Sequence, residues 1–333
     1  MKPNELTLST RTSELRPAPE RQIVFVLLPD VEMLDLAGPV QVFHAANLHG
    51  ARYTLTYNSS QSIVTSAQGL VFAQLTPLPS VGQDDIVIVP GVYIPLDTLN
   101  SASFDPAVTA WIADAYKAGA IVASICTGAF LLGAAGLLDG RRCTAHWMVL
   151  DELQSQFQRA HVLDNVLYVH DQRITTTAGI ASGIDMALSL VEQDYGALFV
   201  AQIARFIVIY MRRNGSHPQT SVYLQYRTHL HPGVHRAQDF LIDHLHESIS
   251  LDQLAQVAQI SVRSFSRAFK EAMGLTPVQY HQQLRLELAA HLLQNPELTV
   301  EDVALKCGFK DVRHFRRLWS RAYGAPPSVQ RRS

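Results

Sequence analysis

The C-terminal part of the chain contains the same pattern twice, and this duplication constrains the fold more than any other feature. Segment Leu251–Gly274 aligns with Val300–Gly324. Each copy has a short helix with an apolar face, a tight turn, a capping residue (Ser261 or Asp311) and a basic helix that ends at glycine. Ser and Asp in this position accept the free N–H groups of a first helical turn. The pattern therefore predicts two helix-turn-helix motifs separated by a central helix.

The second helix of each motif carries the residues that we expect to read DNA, because this helix lies in the major groove. Phe265 and Phe269 are four residues apart and share a buried face, as do Phe315, Leu318 and Trp319 in the second copy. Arg suits the opposite face, since its guanidinium group can donate hydrogen bonds to O6 and N7 of one guanine at the same time. Two such helices are predicted to enter successive major grooves, about 34 Å apart. The predicted DNA-reading residues are Arg263, Ser264, Arg267, Arg313, His314, Arg316 and Arg317.

The charge is divided unevenly along the chain. The whole sequence has 27 basic and 29 acidic residues, so its net charge of −2 gives no general attraction to polyanions. Residues 236–333, however, hold 13 basic and 10 acidic residues. From Lys306 onward there are eight basic residues and a single acidic residue, Asp311. A basic end on an acidic body favours a nucleic-acid-binding module attached to a different domain.

The first half of the chain alternates short apolar runs with helical patterns, which predicts a parallel sheet covered on both faces. A length of 333 residues also favours two domains. We therefore expect an α/β domain with a flavodoxin-like parallel sheet sandwiched by helices, followed by an all-α domain with two helix-turn-helix motifs. The predicted strands are 22–28, 52–57, 85–90 and 120–125, with further short strands over 161–179, and the predicted helices are 35–48, 105–119, 127–138, 182–196 and 197–213.

Four segments follow from this organisation and from the Gly, Ser, Pro and Asn cluster at 214–221. They are a flexible tail over 1–20, an α/β domain over 21–212, a linker over 213–232 and a helical domain over 233–333.

The sequence favours a cytoplasmic protein without a membrane span. Ala118–Leu138 is uncharged and long enough to cross a bilayer, but its glycines and its division into a Val/Ile half and a helix-forming half favour a buried strand and a packed helix. Three cysteines fit a reducing compartment, and Cys143 and Cys307 are predicted to fill cores. The N-terminus lacks the apolar core of a signal peptide.

Cys126 follows an apolar strand and precedes a helix, which is the arrangement of a nucleophile elbow. Activation of its thiol would need a neighbouring base or acid. Glu32, Asp35 and His146 are candidates, but their spacing does not place them near the cysteine. Three interpretations stay open: a ligand-pocket residue, an inert core residue, and a catalytic or redox nucleophile.

A histidine cluster near the domain boundary is the other candidate for chemistry. His229, His231 and His235 lie close in sequence to His244 and His246. No Cys or carboxylate cluster accompanies them, so we predict neither a metal site nor a cofactor.

The C-terminal half resembles the AraC/XylS DNA-binding domain. The shared motifs are LAQVAQISVRSFSRAFKEAMGLTPVQY, RLELAAHLL and VEDVALKCGFKDVRHFRRLW. The resemblance implies sequence-specific transcriptional regulation. The sequence departs from it at the end, where it reads GAPPSVQRR and the family usually has Gly-x-Ser-Pro followed by an aromatic-Arg pair.

Residues 22–212 resemble the PfpI-like branch of the class I glutamine-amidotransferase-like superfamily. The shared motifs are LDLAGPVQVF, IVPG, ICTGAFLLGAAGLLDGRRCTAHW and TTAGIASGIDMALSLV. The pattern is similar to that of isocyanide hydratases, in which an elbow Cys meets an acid, and this implies that Cys126 meets Asp35. These two are the candidate catalytic residues. The implied ligand-binding set is Cys126, Thr127, Asp35, Gly91 and His146.

Two positions depart from that resemblance. Many relatives of the intracellular-protease type place His directly after the cysteine, where this chain has Thr127. The family usually has two consecutive glycines after the IVP strand, where this chain has Gly91 and Val92. This difference alters the backbone N–H groups available to a ligand.

The order of the two domains resembles the GlxA family of regulators. This implies a first domain that dimerises or senses a small nitrogen metabolite such as an amino acid, a betaine or carnitine, in a pocket outside the carboxyl ends of the sheet. We therefore expect a homodimeric, non-enzymatic transcription regulator whose partners are double-stranded DNA, a small-molecule effector and RNA polymerase. The alternatives are a cysteine-dependent hydratase or amidase-like enzyme with a DNA-binding domain, and a first domain that dimerises without sensing.

Overall fold

The computed structural model describes residues 20–95, 104–209, 213–217, 219, 226, 229, 231–293, 295 and 297–330. The predicted tail over 1–20 lies outside these residues except for Glu20, and so do the basic residues Arg331 and Arg332. The chain divides into two compact units, Met1–Gln219 and Thr220–Ser333. The predicted linker over 213–232 spans this division, and its limits stay a prediction.

The first unit alternates strands and helices, as the apolar runs predict. Its elements are β1 (Arg21–Val26), α1 (Met33–Leu48), β2 (Tyr53–Asn58), β3 (Ile63–Thr65), β4 (Val71–Ala73), β5 (Ile86–Val89), α2 (Pro106–Lys117), β6 (Ile121–Ile125), α3 (Gly128–Ala134), β7 (Arg142–Cys143), a 3-10 turn (Trp147–Val149), α4 (Leu150–Gln156), β8 (His161–Val162), β9 (Tyr168–Asp171), β10 (Ile174–Thr177), α5 (Ser182–Tyr195) and α6 (Ala197–Phe206).

The main sheet has the strand order β2-β1-β5-β6-β10-β9. All neighbours are parallel except β9, which runs antiparallel to β10 at one edge. The five parallel strands follow the flavodoxin order, which confirms the predicted fold class. Ligands of such sheets bind outside the carboxyl ends of the strands, near the point where the strand order reverses between β1 and β5.

Helices cover both faces of this sheet because successive strand residues point in opposite directions. In β1, Ile23 and Phe25 enter the core that contains α1 and α5. Val24 and Val26 enter the opposite core, which contains α2 and α3. Fully buried strands of this kind are Val- and Ile-rich rather than alternating in polarity, which is the pattern found in the sequence.

The uncharged stretch Ala118–Leu138 forms β6 and α3, as expected of a strand and a packed helix. No helix within the described ranges is long and apolar enough to cross a bilayer. The helix predicted over 197–213 is too long, since α6 ends at Phe206. Three β-branched residues follow it, and Val208 has a φ of +58°, which helices do not accommodate.

The second unit is helical. Its helices are α7 (Pro232–Asp243), α8 (Leu251–Ala258), α9 (Val262–Met273), α10 (Pro277–Leu292), α11 (Val300–Lys306), α12 (Val312–Tyr323) and α13 (Pro327–Gln330). Helices α8 and α9 form the first helix-turn-helix motif, and α11 and α12 form the second. The short helix α13 lies within the C-terminal sequence GAPPSVQRR, which departs from the family pattern.

The predicted caps start both second helices. The side chain of Ser261 accepts from the N–H of Ser264, and that of Asp311 accepts from the N–H of Arg313. The helices end at Gly274 and Gly324, whose φ values of +68° and +71° suit glycine. The two copies of the motif are therefore built by the same local interactions.

Each motif has its own core, and α10 contributes to both. Phe265, Phe269 and Tyr280 are fully buried in the first core. Phe315 and Trp319 are fully buried in the second. Removing such an aromatic side chain typically costs about 3–5 kcal/mol, so each recognition helix is anchored by its apolar face.

Gly128 provides a test of how tightly α3 packs against the sheet. A Cβ at this position would overlap the main-chain oxygen of Val89. We expect Gly128→Ala to lower the free energy of unfolding by about 1–3 kcal/mol because of this overpacking. The measurement is urea unfolding of the purified protein, with Gly82→Ala as the control.

The control alanine at position 82 meets only Asp85, at an ordinary distance of 3.6 Å. We expect it to change the stability by no more than about 0.5 kcal/mol. Equal unfolding midpoints for the two variants would contradict the packing described for α3.

Candidate functional site

Cys126 occupies a sharp turn between β6 and α3. Its φ of +55° is in the left-handed region, which few non-glycine residues adopt, and its N–H donates to the main-chain oxygen of Thr177 over 3.0 Å. Gly91 and Gly179 lie on either side: a Cβ on Gly91 would come within 2.8 Å of the Cys126 Cβ, and one on Gly179 would overlap it. The predicted elbow is therefore present, and it requires two glycine neighbours.

Asp35 of α1 is fully buried beside the elbow. Its Oδ2 accepts from the N–H of Gly91 over 3.2 Å, and its Oδ1 accepts from the N–H of Ile180 over 2.5 Å. Ile180 has a φ of +51°, a conformation that β-branched residues rarely adopt. The carboxyl group thus ties the loop after β10 to the loop after β5.

Burial raises the pKa of Asp35 to about 6, although both N–H bonds favour the charged form. The nearby carboxylate of Glu32 acts in the same direction as burial. A carboxyl group with this pKa changes its charge close to neutral pH. Asp35 can therefore hold or release a proton at the elbow.

The thiol of Cys126 is in a poor environment for ionisation. Burial is the main cause that raises its pKa above the ordinary value, and the carboxyl group of Asp35 adds to it. A nucleophilic cysteine needs the opposite, a pKa lowered by a positive neighbour. The elbow has the shape of a nucleophile site and the electrostatics of an inert thiol.

Thr127 follows the cysteine, and its hydroxyl makes two hydrogen bonds to the main chain of Val92. Oγ1 donates to the main-chain oxygen of Val92 over 2.7 Å and accepts from the N–H of Val92 over 2.9 Å. Since Asp35 takes the N–H of Gly91, both N–H groups after β5 are bonded within the protein. An oxyanion would have to displace one of these bonds.

His146 lies at the edge of a small cavity. Its Nδ1 caps the 3-10 turn by accepting from the N–H of Met148 over 3.4 Å, and burial lowers the pKa of the imidazole, which favours the neutral form. The cavity has a volume of about 180 Å³. Cys126, Asp35, Thr127 and Gly91 do not line it. Its lining residues are His146, Trp147, Leu167, Ala178, Gly179, Ile180, Ala181, Ser182, Arg213 and Gln219.

Sequence reasoning missed Arg213 and Gln219, because both lie in the predicted linker. The signal available in the sequence was Asp185, an acid among the apolar residues of the first half of α5. A carboxylate needs a counter-charge when it is buried. Arg213 provides it, with Nη2 at 2.7 Å from Oδ2 of Asp185.

The second unit presents four arginines at equivalent positions of the two recognition helices. Arg263 and Arg267 of α9, and Arg313 and Arg317 of α12, are all exposed. In each helix the two residues are four apart and lie opposite the buried aromatic side chains. No guanidinium group of the four forms a hydrogen bond or an ion pair with any other described residue, so these groups are available to DNA.

The other three predicted DNA-reading residues have contacts within the protein. Ser264 accepts a hydrogen bond from the hydroxyl of Ser261 over 2.9 Å. His314 is half-buried, and its ring meets the Phe309 ring edge-on at a centroid distance of 6.4 Å. Arg316 of α12 pairs with Glu301 of α11 at 2.6 Å, a bond that braces the second motif.

Arg285 of α10 joins the two motifs. Its Nε donates to the main-chain oxygen of Leu245 and its Nη2 to that of Glu247, both over 2.7 Å. The same guanidinium lies 5.8 Å from the ring centroid of Phe309, which belongs to the second motif. A Cβ on Gly308 would come within 2.6 Å of the main-chain oxygen of His246, so the turn of the second motif packs directly on this segment.

The buried ring of His281 completes this junction. Its Nε2 donates to the main-chain oxygen of Leu245 over 2.9 Å. Burial, assisted by the charge of Arg285, lowers the pKa of His281 to about 4, so the ring is neutral at pH 7. The two recognition helices are therefore held in a fixed relation through α10.

The histidine cluster forms local contacts. The rings of His229 and His235 stack at a centroid distance of 4.2 Å, and Nε2 of His235 donates to the main-chain oxygen of His229. Within the part of the chain that the structure describes, no group of three or more His, Cys, Asp or Glu side chains is arranged to hold a metal ion. The expectation of no metal and no cofactor stays a prediction.

Two family models match this chain. One describes the DJ-1/PfpI family and matches residues 21–193, and the other describes a helix-turn-helix domain and matches residues 254–333. These matches confirm the predicted order of a PfpI-like domain and a helix-turn-helix domain.

Similar proteins include regulators and an enzyme. The HTH-type transcriptional regulator CdhR of Pseudomonas aeruginosa is 28% identical over 310 residues, which cover 92% of this chain and 90% of CdhR. Isonitrile hydratase of Pseudomonas putida is 35% identical over 175 residues, 53% of this chain and 72% of the hydratase. The crystal structure of a THiJ/PfpI family protein from Pseudomonas syringae matches with a TM-score of 0.51 and 20% identity, over 81% of this chain and 99% of that one. That structure supports the fold.

The raised pKa of Asp35 predicts a pH dependence of stability. Between about pH 4 and pH 6 the folded state binds a proton that the unfolded state releases, so this group makes the protein more stable as the pH falls through that window. A pKa difference of about two corresponds to about 3 kcal/mol. We expect Asp35→Asn to lose this contribution in urea unfolding measured from about pH 4 to about pH 7.

Asp114→Asn, at an exposed position of α2, is the control and should keep the pH dependence of the wild type. The interpretation fails when Asp35→Asn and wild type show parallel stability curves across this window. A uniform loss of stability in Asp35→Asn does not affect the test, because only the slope reports the titration.

Proposed function

The chain belongs to the DJ-1/PfpI family and ends in an AraC-type helix-turn-helix domain, and on this premise we propose that it is a sequence-specific transcription regulator controlled by a small nitrogen-containing metabolite. The first unit senses the metabolite, and the second unit binds double-stranded DNA. CdhR, which is similar over almost the whole length of both chains, is a transcriptional regulator.

The observation that carries this proposal is a set of four exposed arginines whose guanidinium groups make no bond to the described residues. Arg263 and Arg267 occur at the same places in α9 as Arg313 and Arg317 in α12. Each pair follows a capped helix start, which is the part of a recognition helix that reaches base edges. Bidentate contact of such an arginine with guanine contributes about 1–3 kcal/mol of discrimination.

The proposed regulator acts as a homodimer in the cytoplasm and contacts RNA polymerase at its promoters. All three cysteines are buried and unpaired, which agrees with a reducing compartment. The proposed ligand contacts in the first unit are Cys126, Thr127, Asp35, Gly91 and His146. Cys126, Thr127, Asp35 and Gly91 lie at the carboxyl edge of the sheet, where ligands of such folds bind, whereas His146 lines a small cavity that they do not line.

The elbow also favours a second candidate function, a cysteine-dependent hydratase. The supporting observation is the left-handed Cys126 beside the buried Asp35, in a unit similar to isonitrile hydratase. The raised pKa of the thiol and the occupied N–H groups of Gly91 and Val92 argue against turnover. We therefore propose a regulator rather than an enzyme.

DNA binding can be tested with single arginine variants. After selection of an operator from random duplexes, we expect Arg267→Ala and Arg317→Ala each to weaken operator binding by about 5- to 150-fold, which corresponds to about 1–3 kcal/mol. Binding to unrelated DNA should change much less, because base contacts and not phosphate contacts are removed. Electrophoretic mobility shifts at a fixed salt concentration measure both affinities.

The matched control is Arg205→Ala, which removes the same charge from an exposed position of the first unit. Operator binding should not change in this variant. Equal affinities of Arg267→Ala, Arg317→Ala and Arg205→Ala would overturn the assignment of the recognition helices.

Ligand sensing and catalysis are separated by one variant of the elbow. We expect a nitrogen-containing metabolite to raise the unfolding temperature, since a ligand at a hundredfold excess over its Kd stabilises the folded state by about 2.7 kcal/mol. Isonitrile incubated with the protein should stay unconverted. Turnover that disappears in Cys126→Ala would instead establish the hydratase, and the absence of any stabilising metabolite would favour a first unit that only dimerises.

A further inference from the structure

We propose that residues 6–10 of the N-terminal tail add a strand to the open edge of the main sheet, antiparallel to β2, with Leu6 and Leu8 in the groove between α1, β2 and β4. In this position the tail shields an edge that would otherwise pair with other chains. The inference rests on unbonded main-chain groups of β2, on the apolar groove beside them, and on the length and pattern of the chain that precedes Glu20.

Strand β2 lies at one edge of the main sheet, and among the described strands only β1 pairs with it. The N–H of Arg21 in β1 donates to the main-chain oxygen of Arg52 over 3.2 Å. Alternate residues of a strand direct their main-chain polar groups to opposite sides. The N–H and oxygen of Tyr53, Leu55 and Tyr57 therefore point away from β1, toward the open edge.

The two ends of this edge are bonded within the protein. The N–H of Tyr53 donates to Oδ1 of Asn47 over 2.8 Å, and its oxygen accepts from Nδ2 of Asn47 over 2.7 Å. The oxygen of Tyr57 accepts from the N–H of Thr76 over 3.4 Å. Between these ends, the N–H and oxygen of Leu55 and the N–H of Tyr57 form no hydrogen bond with the described residues. Such groups are the ones that an added strand bonds.

Strand β4 has main-chain groups in the same condition. It pairs antiparallel with β3, and next to this pair the N–H of Ser66 donates to the oxygen of Leu70 over 2.8 Å. By the alternation of an antiparallel ladder, the polar groups of Val71 and Ala73 point away from β3, and they form no hydrogen bond with the described residues. Thr76 then forms a parallel bridge with the last residue of β2. The two strands meet at this bridge, and both line the groove.

The groove suits the apolar side chains of an added strand. Its volume is about 730 Å³, and apart from Thr56, Gln74 and Thr76 its lining residues are apolar or aromatic. Val71 is 57% exposed and Tyr57 is 39% exposed, so the groove leaves large apolar side chains in contact with water. An exposed apolar surface of this kind marks a site of interaction with another segment.

The tail has the sequence pattern of such a strand. Residues 6–10 read LTLST, in which Leu6 and Leu8 alternate with residues that carry a hydroxyl group. In an extended chain both leucines point to the same face. Pro3 and Pro17 lie outside this segment, so each of its residues keeps the N–H group that strand pairing requires.

Glu20 connects the tail to the start of β2. Its Oε1 lies 3.5 Å from Nη1 of Arg52, the residue that precedes β2. From there the groove at Leu55 is three residues along β2 and one strand further out, which is a displacement of about 10 Å in each direction. The nine residues 11–19 span up to about 30 Å when extended. Residues 6–10 can therefore run along β2 before the chain turns back into β1.

Hydrogen exchange of individual amides tests this added strand in the full-length protein. The N–H groups of Leu55 and Tyr57 should exchange slowly in the wild type, because the tail bonds them. The Leu6→Glu, Leu8→Glu double variant places two charges in the apolar groove and should accelerate both amides at least tenfold. The N–H of Thr56 points to β1 and is the internal reference, which should keep its wild-type rate.

The matched control is the Thr7→Glu, Ser9→Glu double variant. It adds the same two charges on the face of the strand that points away from the groove, so both amides should stay slow. A second measurement uses a labelled peptide of residues 1–13 and a protein variant that lacks residues 2–13. We expect the peptide to bind this shortened protein, to restore slow exchange, and not to bind the full-length protein.

Each contrary outcome overturns a defined part of the inference. Fast exchange of Leu55 and Tyr57 in the wild type would exclude an added strand. Equal acceleration in the two double variants would overturn the placement of the leucines in the groove. Slow exchange that persists without the tail, or a peptide that does not bind the shortened protein, would exclude the tail as the occupant. If this slow exchange disappears on dilution to the monomer in analytical ultracentrifugation, a second copy of the chain covers the edge.

Discussion

A carboxyl group buried between two loops organises the carboxyl edge of the sheet. Asp35 accepts the N–H groups of Gly91 and Ile180, and these belong to the loops that follow β5 and β10. The left-handed residues Cys126 and Ile180 lie beside it, and glycine is needed where the backbones approach. Without an acceptor at position 35, the buried N–H of Gly91 and the partly buried N–H of Ile180 would lose this partner, so the acid supports the shape of the elbow whatever its chemical role.

The same arrangement explains how a fold shared with a hydratase relative can serve in a regulator. Thr127 bonds both polar groups of Val92, and Asp35 takes the neighbouring N–H of Gly91. The groups that could stabilise a developing negative charge are therefore part of the resting structure. The small cavity beside His146 is lined by other residues, among them Gly179, Arg213 and Gln219.

Local patterns in the sequence predict a large part of this protein. Val/Ile runs between helical patterns define the parallel sheet, and Ser261 and Asp311 mark the starts of both recognition helices, because these signals depend on neighbouring residues alone. Contacts between distant residues leave weaker traces. The pairing of Arg213 with Asp185 joins residues 28 positions apart, and the bond between Arg316 and Glu301 reaches across a turn. The end of α6 was missed because its apolar face continues into a β-branched run that does not stay helical.

The junction at Arg285 has a consequence for the DNA that this protein can recognise. Arg285 and the neutral His281 bond the main-chain oxygen of Leu245, and Gly308 packs on the neighbouring His246. These contacts hold the two recognition helices at a fixed distance and orientation. Each added base pair turns one half-site by about 35° around the duplex and moves it along the axis, since one turn takes about 10–10.5 base pairs. The protein can therefore accept base substitutions in its target far more readily than a change in the spacing between the two half-sites. Insertions between the half-sites are the changes that it tolerates least.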